Sequence, residues 1–187
     1  MSQWDIVVVG GANYDYLVRG PQLPTPGETL NGQEFQEAPG GKGANQAVAA
    51  ARLGANVALL ARIGKDARGA ALMERFAAEG VDTSHVICDA QAATGIALVH
   101  VTESGEKQIF VAPGANEQLT TTDIANAAPL FRNARVLLTQ LEIPQTSVLA
   151  ALRQAREAGL QTILDPAPPR ELSAELLQLV DLVKPNR

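Results

Sequence analysis

The sequence predicts an α/β fold with an open, mainly parallel sheet, helices on both faces of that sheet, and a small antiparallel β sheet beside it. Two observations lead to this class. Short apolar runs that end in glycine or a polar residue alternate with helical patterns along most of the chain, which is typical of parallel strands covered by helices. Further strands within about 14–38 and 94–112 do not follow this alternation. We expect them to form a separate sheet, the alternative being that they extend the main one.

The composition is that of a soluble globular protein. The chain has 187 residues, of which 46% are hydrophobic and 19% are charged, so it can bury a sizeable core. The net charge of −5 argues against a nucleic-acid surface. No apolar run approaches the roughly 20 residues of a membrane span. A single cysteine, Cys88, and a start without a basic and then apolar leader predict a cytoplasmic protein.

The N-terminal half begins with a buried strand and continues into exposed strands. The apolar run 4–9 is closed by two glycines, and residues 14–18 then alternate as in a half-exposed strand. Residues 43–53 place small apolar side chains at helical spacing, so this helix can pack closely on a sheet, and Gly54 marks its end. The other elements predicted in this half are a turn at 23–27, strands at 29–38 and 56–63, a helix at 66–78, and a hairpin of strands 94–101 and 107–111.

The C-terminal half returns to the alternation of strand and helix. Two apolar runs are each followed by an acidic residue, Glu142 and Asp165. The helical pattern between them ends at Gly159, as expected for a helix C-terminus. The elements predicted in this half are helices at 121–127, 144–158 and 173–179, and strands at 136–141, 160–164 and 180–183.

Polar residues follow several of the predicted parallel strands. In an open α/β sheet, ligands bind in the crevice beyond the carboxyl ends of the strands. Five segments place polar side chains or free helix N–H groups there, namely Asn13 with Asp15, the glycine loop 40–43, Glu142, Asp165 and Asn186. Asp165 precedes a proline and is interpreted as a structural turn residue. The other segments predict a ligand site at this edge of the sheet.

The chemistry of these side chains favours a ligand with hydroxyl groups. Ionised Asp15 and Glu142 only accept hydrogen bonds, whereas Lys42 and Asn45 can donate them and Asn13 can do both. Acceptors and donors around a small cavity describe a sugar or polyol site. Two alternatives stay open at this point: Asp15 could cap a turn, and Lys42 could be a solvated surface residue.

Simple nucleotide motifs do not account for the glycine loop. A P-loop requires G-x-x-x-x-G-K-[S/T], but Gly43 follows Lys42, and Gln36 occupies the position of the first glycine. A dinucleotide fingerprint requires G-x-G-x-x-G after a strand, whereas the chain has G-G-A-N-Y-D at 10–15. Neither phosphate-binding motif is therefore present.

Five segments resemble the ribokinase-like carbohydrate kinases. They are G-G-A-N-Y-D at 10–15, P-T-P-G-E-T at 24–29, G-G-K-G-A-N-Q-A at 40–47, Q-L-E at 140–142 and K-P-N at 184–186. The third is the most specific, and together they span nearly the whole chain in the family's order. The resemblance implies ATP-dependent phosphorylation of a sugar's primary hydroxyl, with D-ribose converted to ribose 5-phosphate, Mg²⁺ as cofactor and a monovalent cation such as K⁺ as activator. Fructose, a nucleoside or a related sugar are alternative substrates.

The same resemblance implies roles for individual residues. The residues expected to bind the sugar are Asn13, Asp15, Gly41, Lys42, Asn45 and Glu142. Asn186 is expected to face the nucleotide phosphates, and no metal ligand is assigned within the chain. The strands outside the main sheet are expected to form a lid over the sugar and to join two copies in a homodimer. The glycine loop 40–43 is then the floor of a sugar site.

One part of the family pattern is not found. The family's D-T-x-G-A-G-D stretch carries the catalytic base and an anion hole for the phosphates, and the 187 residues contain no such stretch. The resemblance therefore implies that 1–187 is the N-terminal part of one α/β sugar kinase domain, with the base beyond Arg187 and the C-terminal part of the fold missing. We expect the 187 residues alone to be inactive. The alternative is a non-catalytic sugar-binding or interaction module.

Overall fold

Residues 3–185, the part of the chain that the computed structural model describes, form eleven strands, six α-helices and one 3-10 helix. In chain order the strands are β1 (Ile6–Val9), β2 (Asn13–Gly20), β3 (Glu34–Gly40), β4 (Val57–Leu60), β5 (Arg62–Gly64), β6 (Ile87–Asp89), β7 (Gly95–Thr102), β8 (Lys107–Ala112), β9 (Val136–Thr139), β10 (Gln161–Leu164) and β11 (Leu182–Val183). The helices are α1 (Lys42–Arg52), α2 (Ala67–Ala78), the 3-10 helix (Gly114–Gln118), α3 (Thr121–Asn126), α4 (Ala128–Arg132), α5 (Gln145–Glu157) and α6 (Ala174–Gln178). Within this range, no helix is both long enough and apolar enough to cross a membrane.

The central sheet has five strands in the order β11-β10-β9-β1-β4, and all of its neighbours run parallel. The register aligns the strand ends. Val9, the last residue of β1, lies opposite Leu60 on β4 and Thr139 on β9, and Thr139 lies opposite Leu164 on β10. The loops that leave these strands therefore start at one edge of the sheet, where the polar residues were predicted to converge.

Both faces of the central sheet are covered by helices. Val7 and Val9 on β1 are fully buried in one apolar cluster with residues of α3, α4, α5 and α6. Val8, between them, is fully buried in a second cluster with residues of α1 and α2. Successive side chains of a strand point to opposite faces, so the continuous apolar run of β1 supplies both cores. The predicted α/β class with helices on both faces is confirmed.

A second sheet of four strands has the order β3-β2-β7-β8 and is called the small sheet below. Its outer pairs run antiparallel, and β7–β8 is the predicted hairpin. One detail differs from the prediction, because the middle pair β2–β7 is parallel and the sheet is therefore mixed. The register explains this: Asn13, the first residue of β2, lies opposite Gly95, the first residue of β7. The first residues of β2 and β7 are thus aligned, and both strands run in the same direction.

Three short features were not predicted, the first being the 3-10 helix Gly114–Gln118. The strand predicted at 56–63 is divided into β4 and β5, and β5 pairs with the three-residue strand β6 in a separate two-stranded sheet. Helix α4 follows α3 almost directly and carries Pro129 in its first turn, a position where proline is tolerated in a helix. Elements of three to five residues are too short for a periodic pattern to identify.

Candidate functional site

The predicted site lies where β1 and β9 end and α1 begins. β1 continues through a glycine pair into Asn13, while Glu142 follows β9. The start of α1 packs tightly on the first of these turns, since a Cβ atom at Gly43 would lie 2.7 Å from the carbonyl carbon of Gly10. Gly41 has a φ angle of 89°, which favours glycine. The glycine loop therefore lies directly against the backbone that follows β1.

Lys42 and Glu142 form an ion pair across this junction. The Lys42 Nζ atom lies 2.6 Å from Glu142 Oε1, and the Lys42 backbone N–H donates to Glu142 Oε2 at 2.6 Å. The two side chains are 33% and 13% exposed. Lys42 is thus tied to the end of β9 and is not a solvated surface residue, which excludes that alternative.

The free helix N–H groups expected at the site are partly used inside the protein. The Lys42 N–H donates to Glu142, and the Ala44 N–H donates to the Gly11 carbonyl at 3.0 Å. The expectation that the N–H groups of the glycine loop 40–43 face a ligand is therefore wrong at Lys42. The carboxylate of Glu142 occupies the position at the helix N-terminus that favours negative charge.

Asp15 is an acceptor whose hydrogen bonds are incomplete. It lies within β2, opposite Ala38 and Ala97, so it does not cap a turn. Its Oδ1 atom is buried and accepts no hydrogen bond from the described residues 3–185. Burial and the neighbouring Glu142 carboxylate raise the pKa of Asp15, and the Lys42 ammonium only partly offsets them. Because an unmet buried acceptor is unfavourable, a ligand hydroxyl that donated to it would be bound with a gain in free energy.

Asn13 is held by a second asparagine that the sequence did not single out. Both side chains are buried, with Asn13 3% and Asn116 1% exposed. The Asn116 Nδ2 group donates to Asn13 Oδ1 at 2.8 Å. The Asn116 Oδ1 atom also accepts from the backbone N–H of Ala12 at 2.9 Å. The first residue of the small sheet is thereby joined to the 3-10 helix that follows the sheet's last strand.

A cavity of about 180 Å³ opens beside these groups. It is smaller than the roughly 300 Å³ at which drug-sized sites begin, so it suits a small ligand. The residues that line it are Asn13, Lys42, Val111, Pro113, Asn116, Glu117, Glu142, Pro168 and Arg170. Donors and acceptors thus share the wall with apolar groups from the small sheet and the loop after β10. A small polar molecule with several hydroxyl groups matches this lining.

Three predicted residues, Asp15, Gly41 and Asn45, are not among those that line the 180 Å³ cavity. Asn45 is exposed on α1 and lines another depression, beside Pro39 and Arg75, so its side chain is not among those around the 180 Å³ cavity. Gly41 contributes close backbone packing, since a Cβ atom there would lie 2.7 Å from the Asn13 nitrogen. Asn186 lies outside the described residues.

Asp165 belongs to a chain of buried polar side chains near the strand ends. Gln140 Nε2 donates to Gln46 Oε1 at 2.5 Å, and Gln46 Nε2 donates to Asp165 Oδ2 at 3.2 Å. Asp165 is 9% exposed. These bonds tie Asp165 Oδ2 to side chains of α1 and the end of β9, whereas the Asp165 Oδ1 atom is buried and has no hydrogen-bond partner among residues 3–185. The structural role predicted for Asp165 therefore stays a prediction.

Several residues that line the cavity were not predicted from the sequence. Asn116, Pro113 and Glu117 follow β8, which belongs to the small sheet, so the rule of carboxyl strand ends did not include them. Arg170 lies on the loop after β10, beyond three prolines. The polar residues just after β8 were the available signal, since this segment returns the chain from the small sheet to the main body.

Comparisons with known proteins settle the family. The model of the pfkB family carbohydrate kinases matches residues 3–187. The chain belongs to the pfkB family. This confirms the family resemblance predicted from the sequence.

The relatives of this pfkB-family chain include a ribokinase and a deoxyribokinase. The ribokinase of Haemophilus influenzae is 44% identical over 181 residues, covering 97% of this chain and 59% of that protein. A deoxyribokinase of Salmonella typhi is 33% identical over 183 residues, covering 97% of this chain and 60% of that protein. The structure of Arabidopsis thaliana ribokinase complexed with ribose and ATP matches with a TM-score of 0.85 at 33% identity, covering 99% of this chain and 60% of that one. The pfkB-family chain thus spans about three fifths of the length of these relatives.

Proposed function

We propose that this chain is the sugar-binding part of a kinase that phosphorylates D-ribose to ribose 5-phosphate with ATP. The observation that carries the proposal is that Asn13, Lys42 and Glu142 line one small cavity from three separate segments. Asp15, on the same strand as Asn13 and electrostatically coupled to Lys42 and Glu142, adds a buried acceptor without a partner among residues 3–185. Membership of a carbohydrate kinase family and the 44% identity to a ribokinase support the choice of reaction and sugar.

In this proposal each side chain binds a sugar hydroxyl through its own hydrogen-bonding capacity. Asp15 Oδ1 accepts a hydrogen bond from a sugar hydroxyl, because no group within residues 3–185 donates one to it. Glu142 keeps both oxygens near Lys42, and each oxygen has a further lone pair for a hydroxyl. Asn13 offers its Nδ2 group, because its Oδ1 atom is occupied by Asn116. Gly41 provides backbone contact, and Asn45 is expected to reach the sugar only after the side chain reorients.

The small sheet acts as the lid in this proposal. Val111 lies opposite Ala97, which lies opposite Asp15, so these three share the face that borders the cavity. A lid that excludes water favours transfer to the sugar over hydrolysis of ATP. The sheet also exposes large apolar side chains, including Phe110 at 75% and Phe35 at 59%. Such patches mark interaction sites, which supports a homodimer formed through the lid.

The nucleotide part of the reaction is assigned outside the described residues. Residues 3–185 hold no group of three or more His, Cys, Asp and Glu side chains suited to a metal ion. The sequence also has no D-T-x-G-A-G-D stretch. ATP, Mg²⁺ and K⁺, the contact of Asn186 with the nucleotide, and a base beyond Arg187 therefore belong to the proposal for the whole kinase in the cytoplasm.

A specific observation favours a second candidate, a sugar-binding module that does not transfer phosphate. The missing stretch would carry the base and the phosphate-binding groups, and phosphoryl transfer depends on positioning and on charge stabilisation at the phosphates. The 187 residues alone are then expected to bind sugar without turnover. The deoxyribokinase relative supports a related pentose as an alternative substrate, beside fructose and a nucleoside.

Isothermal titration calorimetry of the 187-residue chain tests both candidates. We expect binding of D-ribose, weaker binding of fructose and of a nucleoside, and no ADP release when ATP and Mg²⁺ are added. Asp15→Asn serves as the control, and its ribose affinity should be lower by about 100-fold. Absence of binding for every sugar would reject the proposed function, whereas ADP release that depends on ribose would reject the inactive-module candidate and retain the kinase.

A further inference from the structure

We propose that Asn116 is a positioning residue that makes Asn13 a hydrogen-bond donor toward the sugar, and so sets which ligand atoms the site accepts at that position. This inference rests on the proposed sugar-binding function. Asn116 lines the same cavity as Asn13 and is 1% exposed. No other side chain of the described residues hydrogen-bonds to Asn13.

The orientation of the Asn116 amide follows from backbone groups, which cannot exchange donor and acceptor. Its Oδ1 atom accepts from the Ala12 N–H at 2.9 Å. Its Nδ2 group faces the carbonyls of Ala12 at 3.2 Å and Pro113 at 3.0 Å. Reversing the amide would place an oxygen against two carbonyls and an NH₂ group against an N–H. The backbone therefore fixes Asn116 in one orientation.

Asn116 passes this orientation on to Asn13. Its Nδ2 group donates to Asn13 Oδ1 at 2.8 Å, so the Asn13 oxygen is occupied and the Asn13 NH₂ group is the part left for the cavity. Asn13 thus presents a donor, whereas Asp15 and Glu142 present acceptors. A ligand oxygen at Asn13 must accept a hydrogen bond, and one at Asp15 must donate.

Gly95 makes room for this pair on the lid. A Cβ atom there would lie 2.4 Å from Asn116 Nδ2 and 2.4 Å from Asn13 Oδ1. Gly95 is also the residue of β7 opposite Asn13. The hydrogen bond between the two asparagines therefore depends on a glycine at this position, and Gly95→Ala would disturb the bond without changing either amide.

Asn116→Asp tests the inference by calorimetry with D-ribose. The aspartate can still accept from Ala12, but ionised it cannot donate to Asn13. We expect ribose affinity to fall by at least about tenfold near neutral pH. Protonation restores a donor, so the gap between variant and unmodified chain should narrow as the pH falls. Asp15, Lys42, Glu142, Glu117 and Arg170 are the other charged groups at or beside the site, and both proteins contain them, so the comparison isolates position 116.

Four further variants separate positioning from folding. Asn13→Ala should lower ribose affinity, and adding Asn116→Asp to it should lower affinity little more, because residues that act through one bond are not additive. Gly95→Ala should weaken ribose binding as Asn116→Asp does. Ser147→Ala is the control: Ser147 is fully buried and donates to the Leu119 carbonyl at 2.6 Å, so its loss should lower the melting temperature and leave ribose affinity unchanged.

The outcomes distinguish this inference from the function it rests on. A ribose affinity of Asn116→Asp within twofold of that of the unmodified chain would overturn the positioning role alone. The same holds if the difference in ribose affinity does not change with pH and the effects of Asn13→Ala and Asn116→Asp are additive. If Asn116→Asp does not fold, Gly95→Ala provides the test, and an unchanged ribose affinity of Gly95→Ala would also overturn the positioning role. An unmodified chain that binds no sugar would overturn both the proposed function and the inference.

Discussion

Two clusters of charged side chains in this protein differ in how completely their oxygens are hydrogen-bonded. The site cluster consists of Asp15, Lys42 and Glu142 beside the cavity. The Arg62 cluster consists of Arg62 on β5, Asp89 on β6 and Asp123 on α3. Both combine one cation with two carboxylates in partly buried surroundings. The pKa of Asp15 is raised, whereas the pKa values of Asp89 and Asp123 are lowered.

The carboxylates of the Arg62 cluster are fully provided with donors. Asp89 accepts from Arg62 at 2.7 Å and from the backbone N–H groups of Gln91 and Ala92. Those two N–H groups and the guanidinium lower the pKa of Asp89 to about 2. Asp123 accepts from Arg62 at 2.9 Å and from Thr120, with which it caps α3. This cluster joins the β5–β6 pair to α3.

The contrast indicates what each cluster does. A carboxylate whose oxygens all have donors stabilises the fold and offers little to a ligand. A half-buried carboxylate with an unpartnered oxygen is unfavourable for the fold and favourable for binding. Perturbed pKa values occur in both clusters, so the direction of the shift, and not its presence, marks the site.

Exchanging Asp15 for asparagine should produce the largest effect. Asp15→Asn keeps the shape and removes an acceptor oxygen, so we expect ribose affinity to fall about 100-fold, or about 3 kcal/mol. The melting temperature near neutral pH should stay equal or rise, because burial disfavours the carboxylate that is removed. Calorimetry and thermal denaturation measure the two effects. Asp123→Asn is the matched variant, for which stability should fall and ribose affinity should not. Equal changes in ribose affinity and melting temperature in both variants would show that the two clusters do not differ in function.

Removing Lys42 should have the next largest effect. Lys42→Met leaves Glu142 with the Lys42 backbone N–H but without the ammonium at Oε1, and it takes away the charge that lowers the pKa of Asp15. We expect ribose affinity to fall about tenfold near neutral pH. Lys65→Met is the control, since Lys65 is exposed and does not line the cavity. A ribose affinity of Lys42→Met equal to that of the unmodified chain would show that the ion pair of Lys42 and Glu142 does not contribute to ribose binding.

The elements of this fold were largely predictable, and the hydrogen bonding of the site was not. Helix α1 and the buried strand β1 carry clear patterns, so their bounds agree with the prediction to within one or two residues. The contact between Ala12 and Asn116 joins residues 104 apart, and no local pattern encodes such a pairing. Whether Asp15 has a donor likewise depends on segments distant in sequence. Candidate site residues could be predicted from the strand ends, but the groups that donate hydrogen bonds to them could not.

Loss of Arg62 should affect stability alone. Arg62→Met leaves two carboxylates with 11% and 13% exposed side chains lacking their cation. The backbone bonds remain and water screens part of the charge, so we expect stability to fall by about 1–2 kcal/mol. That corresponds to a melting temperature lower by roughly 2–8 °C for a chain of this size. Ribose affinity should be unchanged. A tenfold weaker ribose complex in a folded Arg62→Met variant would show that the two clusters are coupled.

Acidification should separate the clusters by a smaller, graded effect. The pKa of Asp15 lies above its ordinary value of 3.8, so as the pH falls, Asp15 takes up a proton in the folded chain before it would in the unfolded chain. That protonation favours the fold but removes a charged acceptor, and ribose affinity should decline severalfold, by at most about tenfold per pH unit. Asp89 contributes stability above pH 3.8, and this stability is lost only as the pH falls toward about 2. Calorimetry and circular dichroism over one pH series should therefore show ribose binding weakening before unfolding begins. Coincident loss of both would mean that Asp15 titrates with the fold and not ahead of it.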